Sequence, residues 1–232
     1  MDYLSEGVSQ AFRLISAMDG EMLSAVGVSL RVSSTAITVA CLFGIPFGLF
    51  LGIRNFFGKS LVVTVLNTLM ALPTVTVGLV VYALLSRRGA LGVLGLLYTP
   101  KAMVIGQVIL AFPIIAALSL SATQAVDPRA RRTALALGAS PAQASWTIMR
   151  EARFGILASV MAGFGRIIAE VGCAMMLGGN IRGSTRTMTT AIALETGKGK
   201  FALGIALGIV LLLIAFTVNL VTQVLRANAR SS

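Results

Sequence analysis

Five long apolar runs constrain this chain more than any other feature. They lie at residues 32–53, 61–85, 102–126, 154–177 and 201–225, and four of them contain no charged residue. A helix rises about 1.5 Å per residue, so roughly 20 apolar residues cross the roughly 30 Å hydrocarbon core of a bilayer. Each run is long enough to do so. Barrel strands would alternate apolar and polar residues over about half that length, so the runs predict helices. The expected fold class is an all-α integral membrane protein with about five transmembrane helices, forming a single membrane domain over residues 1–232. A hydrophobic fraction of 56% and a mean hydropathy of +0.91 lie above the range of soluble domains and agree with that class.

The segment before the first run carries Asp2, Glu6, Asp19 and Glu21 against Arg13, which is unlike the basic start of a cleavable signal. Within residues 1–31 an amphipathic surface helix is expected over 3–22, because Leu4, Val8, Phe12 and Ile15 fall on one side of a 3.6-residue wheel. Cys41 and Cys173 both fall inside apolar runs and read as small apolar residues, not as a disulfide or metal ligands. The chain contains no histidine, which argues against a transition-metal site or a His proton relay.

A net charge of +11 raises the question of nucleic acid. The basic residues, however, are scattered at the ends of apolar runs and do not form one basic face, so no nucleic-acid partner is expected. With the N-terminus outside, the cytoplasmic segments would hold nine basic residues, from Arg54 and Lys59 to Arg226 and Arg230. The outer segments would also hold nine, among them Arg13, Arg31, Arg87, Arg88, Arg182 and Arg186. The positive-inside rule therefore gives no orientation. A basic outer face suits an anionic substrate or an acidic partner, and it equally suits headgroup anchoring and snorkelling.

Gly44, Gly48 and Gly52 recur every four residues, as do Gly204 and Gly208. Such stripes let helices approach closely, within one subunit or against a second copy. Pro73 and Pro113 each remove a backbone donor within a run and predict kinks. The polar connection 127–150 reads as two short helices. Asp127-Pro128 starts the first, Gly138 interrupts, and Ser140-Pro141 caps and opens the second, which runs through Trp146 to Arg150. The pair forms a knob outside the membrane that a second subunit could grip.

The stretch RTALALGASPAQASWTIMREA at 132–152 resembles the EAA loop of ABC importer permeases. Aligned on Gly138, the Glu-Ala-Ala positions are Arg132, Thr133 and Ala134, Ile148 holds the isoleucine position, and Glu151 stands where a proline is usual. Gly138, Ala139, Ser140 and Pro141 keep the family wording. Residues 70–98 resemble the LPPTVxGxxLxxLLxRxGxLG region of molybdate and tungstate permeases, with Thr74 replacing the second proline. Residues 170–195 resemble the EFGATxMxAGNIPGxTQTxxxAI block of the same oxyanion group, with Arg182 and Arg186 replacing its proline and glutamine. Five spans and the wording SRRGALGVLGLLYTPKAMVIGQ at 86–107 favour the tungstate-type branch. The resemblance implies a type I importer permease for tungstate or another oxyanion (molybdate, sulfate). It implies a homodimer of this chain in the bacterial or archaeal cytoplasmic membrane, with the N-terminus outside and the C-terminus cytoplasmic. A cytoplasmic ABC ATPase dimer would grip the coupling loop at 127–150, and an external oxyanion-binding protein would deliver the substrate. The permease would need no cofactor of its own, ATP and Mg belonging to the ATPase.

Two groups of residues carry candidate chemistry. In 178–200, Gly178 and Gly179 free the backbone, and Ser184, Thr185, Thr187, Thr189 and Thr190 supply hydroxyls. Arg182 and Arg186, four apart, would share a helical face. These groups could contact an oxyanion or a docked binding protein, or could simply form a capped helix ending at Gly197. Arg166 and Glu170 sit inside the fourth run. An unpaired charge in hydrocarbon costs about 2.5–3.5 kcal/mol on insertion scales, so the two are expected to pair across one helical turn as a structural or gate-stabilising ion pair. The only Walker-like fragment, Gly58-Lys59-Ser60, has its upstream Gly52 one place too early, so no nucleotide site or enzymatic activity is expected on this chain. A secondary transporter, the rival from another class, would need more titratable groups at mid-membrane and inverted repeats.

Overall fold

The computed structural model describes the backbone of residues 2–228 and the side chains of residues 8–221, 223 and 224. Leu4, Arg226 and Arg230 of the reading above lie outside the residues whose side chains are described. Among the described residues all regular structure is helical: α1 (Asp2–Ser16), α2 (Gly20–Ile53), α3 (Lys59–Met70), α4 (Thr74–Leu85), α5 (Pro100–Gln124), α6 (Pro128–Ala136), α7 (Pro141–Glu151), α8 (Arg153–Ile168), α9 (Gly172–Gly178), α10 (Met188–Gly197) and α11 (Phe201–Asn228). A single 3₁₀ turn, Gly92–Leu94, lies in the α4–α5 connection.

Three helices are long and apolar enough to cross a bilayer unaided: α2, α5 and the Phe201–Val221 part of α11. Two more apolar stretches are broken. α3 and α4 meet at 98°, and α8 and α9 at 61°. Counted as one span each, the broken pairs bring the total to five. Exposed Leu42, Phe43, Leu79, Leu212, Leu213 and Phe216 would be untenable in water as one continuous surface and suit lipid.

The helix holding the first apolar run begins at Gly20, well before residue 32. Asp19 caps it by accepting a hydrogen bond from the Met22 amide at 2.9 Å. The surface helix is accordingly shorter than expected and ends at Ser16. Ala11 is buried, with Leu14 and Ile15 packed beside Ala206 and Leu207 of α11, while Val8 and Phe12 remain exposed. At 34 residues α2 is about 51 Å long, more than a bilayer core requires.

α5 is the central post, most of its surface buried among α2, α8, α9 and α3. Gly44, Gly48 and Gly52 all face it: a methyl on Gly48 would meet the Ala116 carbonyl oxygen and Ser119, and one on Gly52 would meet Thr123. The glycine stripe therefore serves packing within the subunit. Pro73 does more than kink its run, since it caps the start of α4 beyond the break. Pro113, buried, stays inside a continuous α5, as Pro46 does inside α2.

Candidate functional site

The two ends of the molecule are set by α5. Its N-terminal end adjoins the 86–99 connection, and its C-terminal end leads into α6 and α7. α8 returns from the α7 end and, through α9, reaches the first end again, where the Tyr98 amide donates to the Leu177 carbonyl at 2.8 Å.

At the α6–α7 end the local sequence fixes the geometry. Asp127 accepts from the Arg129 amide at 2.8 Å and opens α6. Gly138 takes φ +89°, a left-handed conformation that a side chain would strain. Ser140 and Gln143 form a reciprocal capping box that starts α7. One side of α7 is anchored by buried Ala144 and Ile148, whereas Leu137 and Trp146 are 83% and 63% exposed. Arg132, Thr133, Gly138, Ser140 and Pro141 are exposed, and Ala134 and Ala139 half-buried. A cleft of about 430 Å³ lies behind them, lined by Asn55, Thr123, Arg131, Arg132 and Ile148 among others.

Inside the fourth apolar run the structure departs from a simple helical face. Glu170 sits in the break between α8 and α9, not on a continuous helix. Its Oε2 lies 3.3 Å from Arg166 Nη1, and its Oε1 accepts from the Cys173 amide at 3.0 Å, so the pairing is present and one carboxylate also caps α9. Glu170 is 4% exposed, but the Arg166 side chain is 42% exposed. Gln107 Nε2 donates to the Ile167 carbonyl at 3.3 Å, and the Thr189 hydroxyl donates to the Glu170 carbonyl at 2.7 Å. Backbone groups freed by the break are thus satisfied by side chains, as non-helical backbone at membrane depth requires. Gln107 escaped the sequence reading, and its only signal was a polar side chain inside an apolar run. Cys41 and Cys173 are free thiols. Among the described residues no cluster of His, Cys, Asp or Glu could hold a metal.

The 178–200 segment is a tight turn followed by α10. Arg182 and Arg186 precede that helix and do not lie on it, so their spacing of four does not make a helical face. They converge nonetheless, on Glu21 of α2: Arg182 Nη2 lies 3.0 Å from Oε2 and Arg186 Nη1 2.5 Å from Oε1. Nothing in the local pattern points to Glu21, which is distant in sequence. The hydroxyls are largely spoken for within the segment. Thr185 donates to the Gly178 carbonyl and accepts from the Ile181 amide, and Thr187 and Thr190 form the capping box of α10, which ends at Gly197. Ser184 is exposed. Beside this turn, Tyr82, Ser86, Arg87, Arg88 and Tyr98 line a pocket of about 570 Å³, with the two tyrosine hydroxyls 3.3 Å apart. Tyr98 holds φ +63°, and its ring fills the space a side chain on Gly179 would need.

Comparison with known proteins adds sequence-level evidence. Residues 44–231 match the family described as binding-protein-dependent transport system inner membrane component. The tungstate uptake system permease protein TupB of Campylobacter jejuni is 44% identical, over 97% of this chain and 95% of that protein. Its counterpart in Peptoclostridium acidaminophilum is 43% identical over 95% and 97%. The molybdenum transport system permease protein ModB of Escherichia coli is 30% identical over 82% of this chain and 90% of that protein. Among solved structures, one described as inward-facing conformations of the MetNI methionine ABC transporter superposes with a TM-score of 0.76 at 15% identity, covering 91% of this chain and 97% of that one. That likeness concerns the fold.

Proposed function

Since this chain belongs to the family of binding-protein-dependent transport system inner membrane components, we propose that it carries tungstate through the membrane as the permease subunit of an ATP-driven importer. The chain is a transport subunit and not an enzyme; its relatives are permease proteins. One observation carries the choice of ion: both tungstate permeases are 43–44% identical over nearly the whole chain, against 30% for the molybdenum permease.

In this reading two copies of the chain form the pathway, a cytoplasmic ATPase dimer binds ATP and Mg, and an external binding protein delivers the ion. The knob around Gly138 takes the cytoplasmic side and the N-terminus the outer side. Arg132, Thr133, Ala134, Gly138, Ala139, Ser140 and Pro141 form the handle. Its support is the exposed, rigidly capped α6–α7 hairpin, with apolar Leu137 and Trp146 left uncovered. ATP-driven closure of the ATPase pair moves the two handles and turns the pathway from outward to inward. Arg166 and Glu170 steady the break in the fourth span, where the half-exposed guanidinium needs a polar surrounding, not lipid. Arg182, Ser184, Thr185, Arg186 and Thr187 belong to the outer turn that receives the substrate or its carrier.

The test is reconstitution in vesicles with the ATPase and the binding protein, following ATP hydrolysis and uptake with tungstate, molybdate and sulfate in turn. Stimulation greatest with tungstate supports the assignment. Hydrolysis indifferent to all three oxyanions overturns it, and stimulation by sulfate alone moves the substrate.

A further inference from the structure

We propose that Arg182 and Arg186 form an anion-exchange fork in which the Glu21 carboxylate is a resident occupant, displaced by an incoming tetrahedral dianion. The inference rests on the oxyanion reading above and assigns a role to Glu21, a residue outside every motif of the chain.

Three observations meet at this point. First, two guanidinium groups from one turn hold both oxygens of a single carboxylate, at 3.0 Å and 2.5 Å. That is the geometry with which arginine binds any small oxyanion. Second, the grip is incomplete: among the described residues Arg186 Nε is buried with no hydrogen-bond partner, within a side chain only 13% exposed. Buried donors that the protein itself leaves unpaired are few and call for an acceptor from outside, a water or an ion. Third, a cavity of about 140 Å³ opens beside the fork, lined by Glu21, Ser24, Arg182, Gly183 and Arg186 among others. It has room for a four-oxygen tetrahedral ion.

The charges make the exchange selective. Two arginines against the Glu21 carboxylate, with nearby Glu195 already paired to Lys198 at 2.9 Å, leave an excess positive charge at the cluster, which a dianion compensates better than a monoanion does. A tetrahedral ion also offers acceptors in directions that a planar carboxylate lacks, so it can reach Arg186 Nε while holding the other two contacts. A chloride ion carries a single charge on a single centre, so it replaces the two-oxygen grip less well. Glu21 thus keeps the fork occupied, and its affinity for substrate low, until a dianion arrives. Low affinity suits a site that must pass its ligand on. Displacement has a mechanical result too. Glu21 stands in the first turn of α2, and the arginines precede α10 in the turn after α9. Their ion pairs tie these segments together, and exchange unties them at the end of α2 remote from α6 and α7.

The test uses the purified complex of permease and ATPase, without binding protein, titrated with sodium tungstate by calorimetry. Sodium sulfate serves as a second dianion and sodium chloride as the ionic-strength control. Glu21→Gln should bind tungstate at least tenfold more tightly than the wild type, and Glu21→Gln combined with Arg182→Gln and Arg186→Gln should lose that gain. Should Glu21→Gln fail to assemble, Arg182→Gln, at a side chain 70% exposed, should weaken wild-type binding at least threefold. Unchanged affinity in Glu21→Gln or in Arg182→Gln, a gain that survives loss of both arginines, or equal competition by chloride overturns the fork. Tungstate gain in Glu21→Gln from a complex that transports no oxyanion would retain the fork and remove the transport reading. Normal tungstate uptake with no gain would do the reverse.

Discussion

A methyl group on Gly48 would lie 2.4 Å from the carbonyl oxygen of Ala116, so α2 and α5 touch backbone to backbone at that point. The obstacle is a carbonyl inside a buried helix, which cannot swing aside as a side-chain tip can. Gly48→Ala should therefore cost about 1–3 kcal/mol through overpacking and lower the thermal midpoint of the detergent-solubilised protein. Gly208→Ala, inside α11 where nothing among the described residues lies within 4 Å of the added methyl, should leave the midpoint unchanged or raise it slightly, since Ala favours a helix over Gly. Equal midpoints for the two variants would show that the α2–α5 contact is looser than described.

Gly138 carries the left-handed residue between α6 and α7. Replacement by Val costs about 1–2 kcal/mol of backbone strain, and it does so in a hairpin that packs on the body chiefly through α7. The expected outcome is a folded permease with a displaced handle: uptake in vesicles falls at least tenfold while the melting midpoint moves little. Normal uptake in Gly138→Val would remove the hinge from the coupling proposal.

Glu170 and Arg166 are unequal partners. Glu170→Ala removes both the acceptor of the buried Cys173 amide and the counter-charge of Arg166, and should destabilise by about 1.5–3 kcal/mol. Arg166→Ala removes a half-exposed group but leaves the buried Glu170 carboxylate held by the Cys173 amide without its counter-charge, so some stability is lost here too. It should still insert yet impair transport, as measured by membrane-fraction yield beside tungstate uptake. Unchanged uptake in Arg166→Ala would take that residue out of the mechanism.

The hydroxyl of Thr185 bridges two backbone groups of its own turn, the Gly178 carbonyl at 2.5 Å and the Ile181 amide at 2.9 Å. Thr185→Val keeps the volume and leaves both unsatisfied, at a cost of about 1–3 kcal/mol. Thr185→Ser keeps the bridge and should restore most of the lost melting temperature. Failure of Ser to rescue would assign the effect to the methyl and its packing.

What the sequence determined by itself was whatever depends on near neighbours. The helix start at Asp127-Pro128, the interruption at Gly138 and the Ser140 cap are each encoded within a few residues, and each reappears in the structure, while three of the five apolar runs reappear as single helices of spanning length. The proline at 73 announced a discontinuity, though not its 98° size, because the angle depends on what the two halves pack against. The tertiary structure decided the rest, where the deciding partner is remote. Nothing local breaks the run 154–177. The break exists because Gln107, Thr189 and Glu170 can satisfy the backbone it exposes, and two of the three lie on other helices. The glycine stripe of α2 could have faced lipid, a second copy or α5, and only packing chose α5. Arg182 and Arg186 look like helix neighbours on paper, yet they meet through Glu21, more than 150 residues away. Covalent proximity makes caps and hinges readable, whereas an ion pair or a close helix contact is defined by two stretches of chain that only folding brings together.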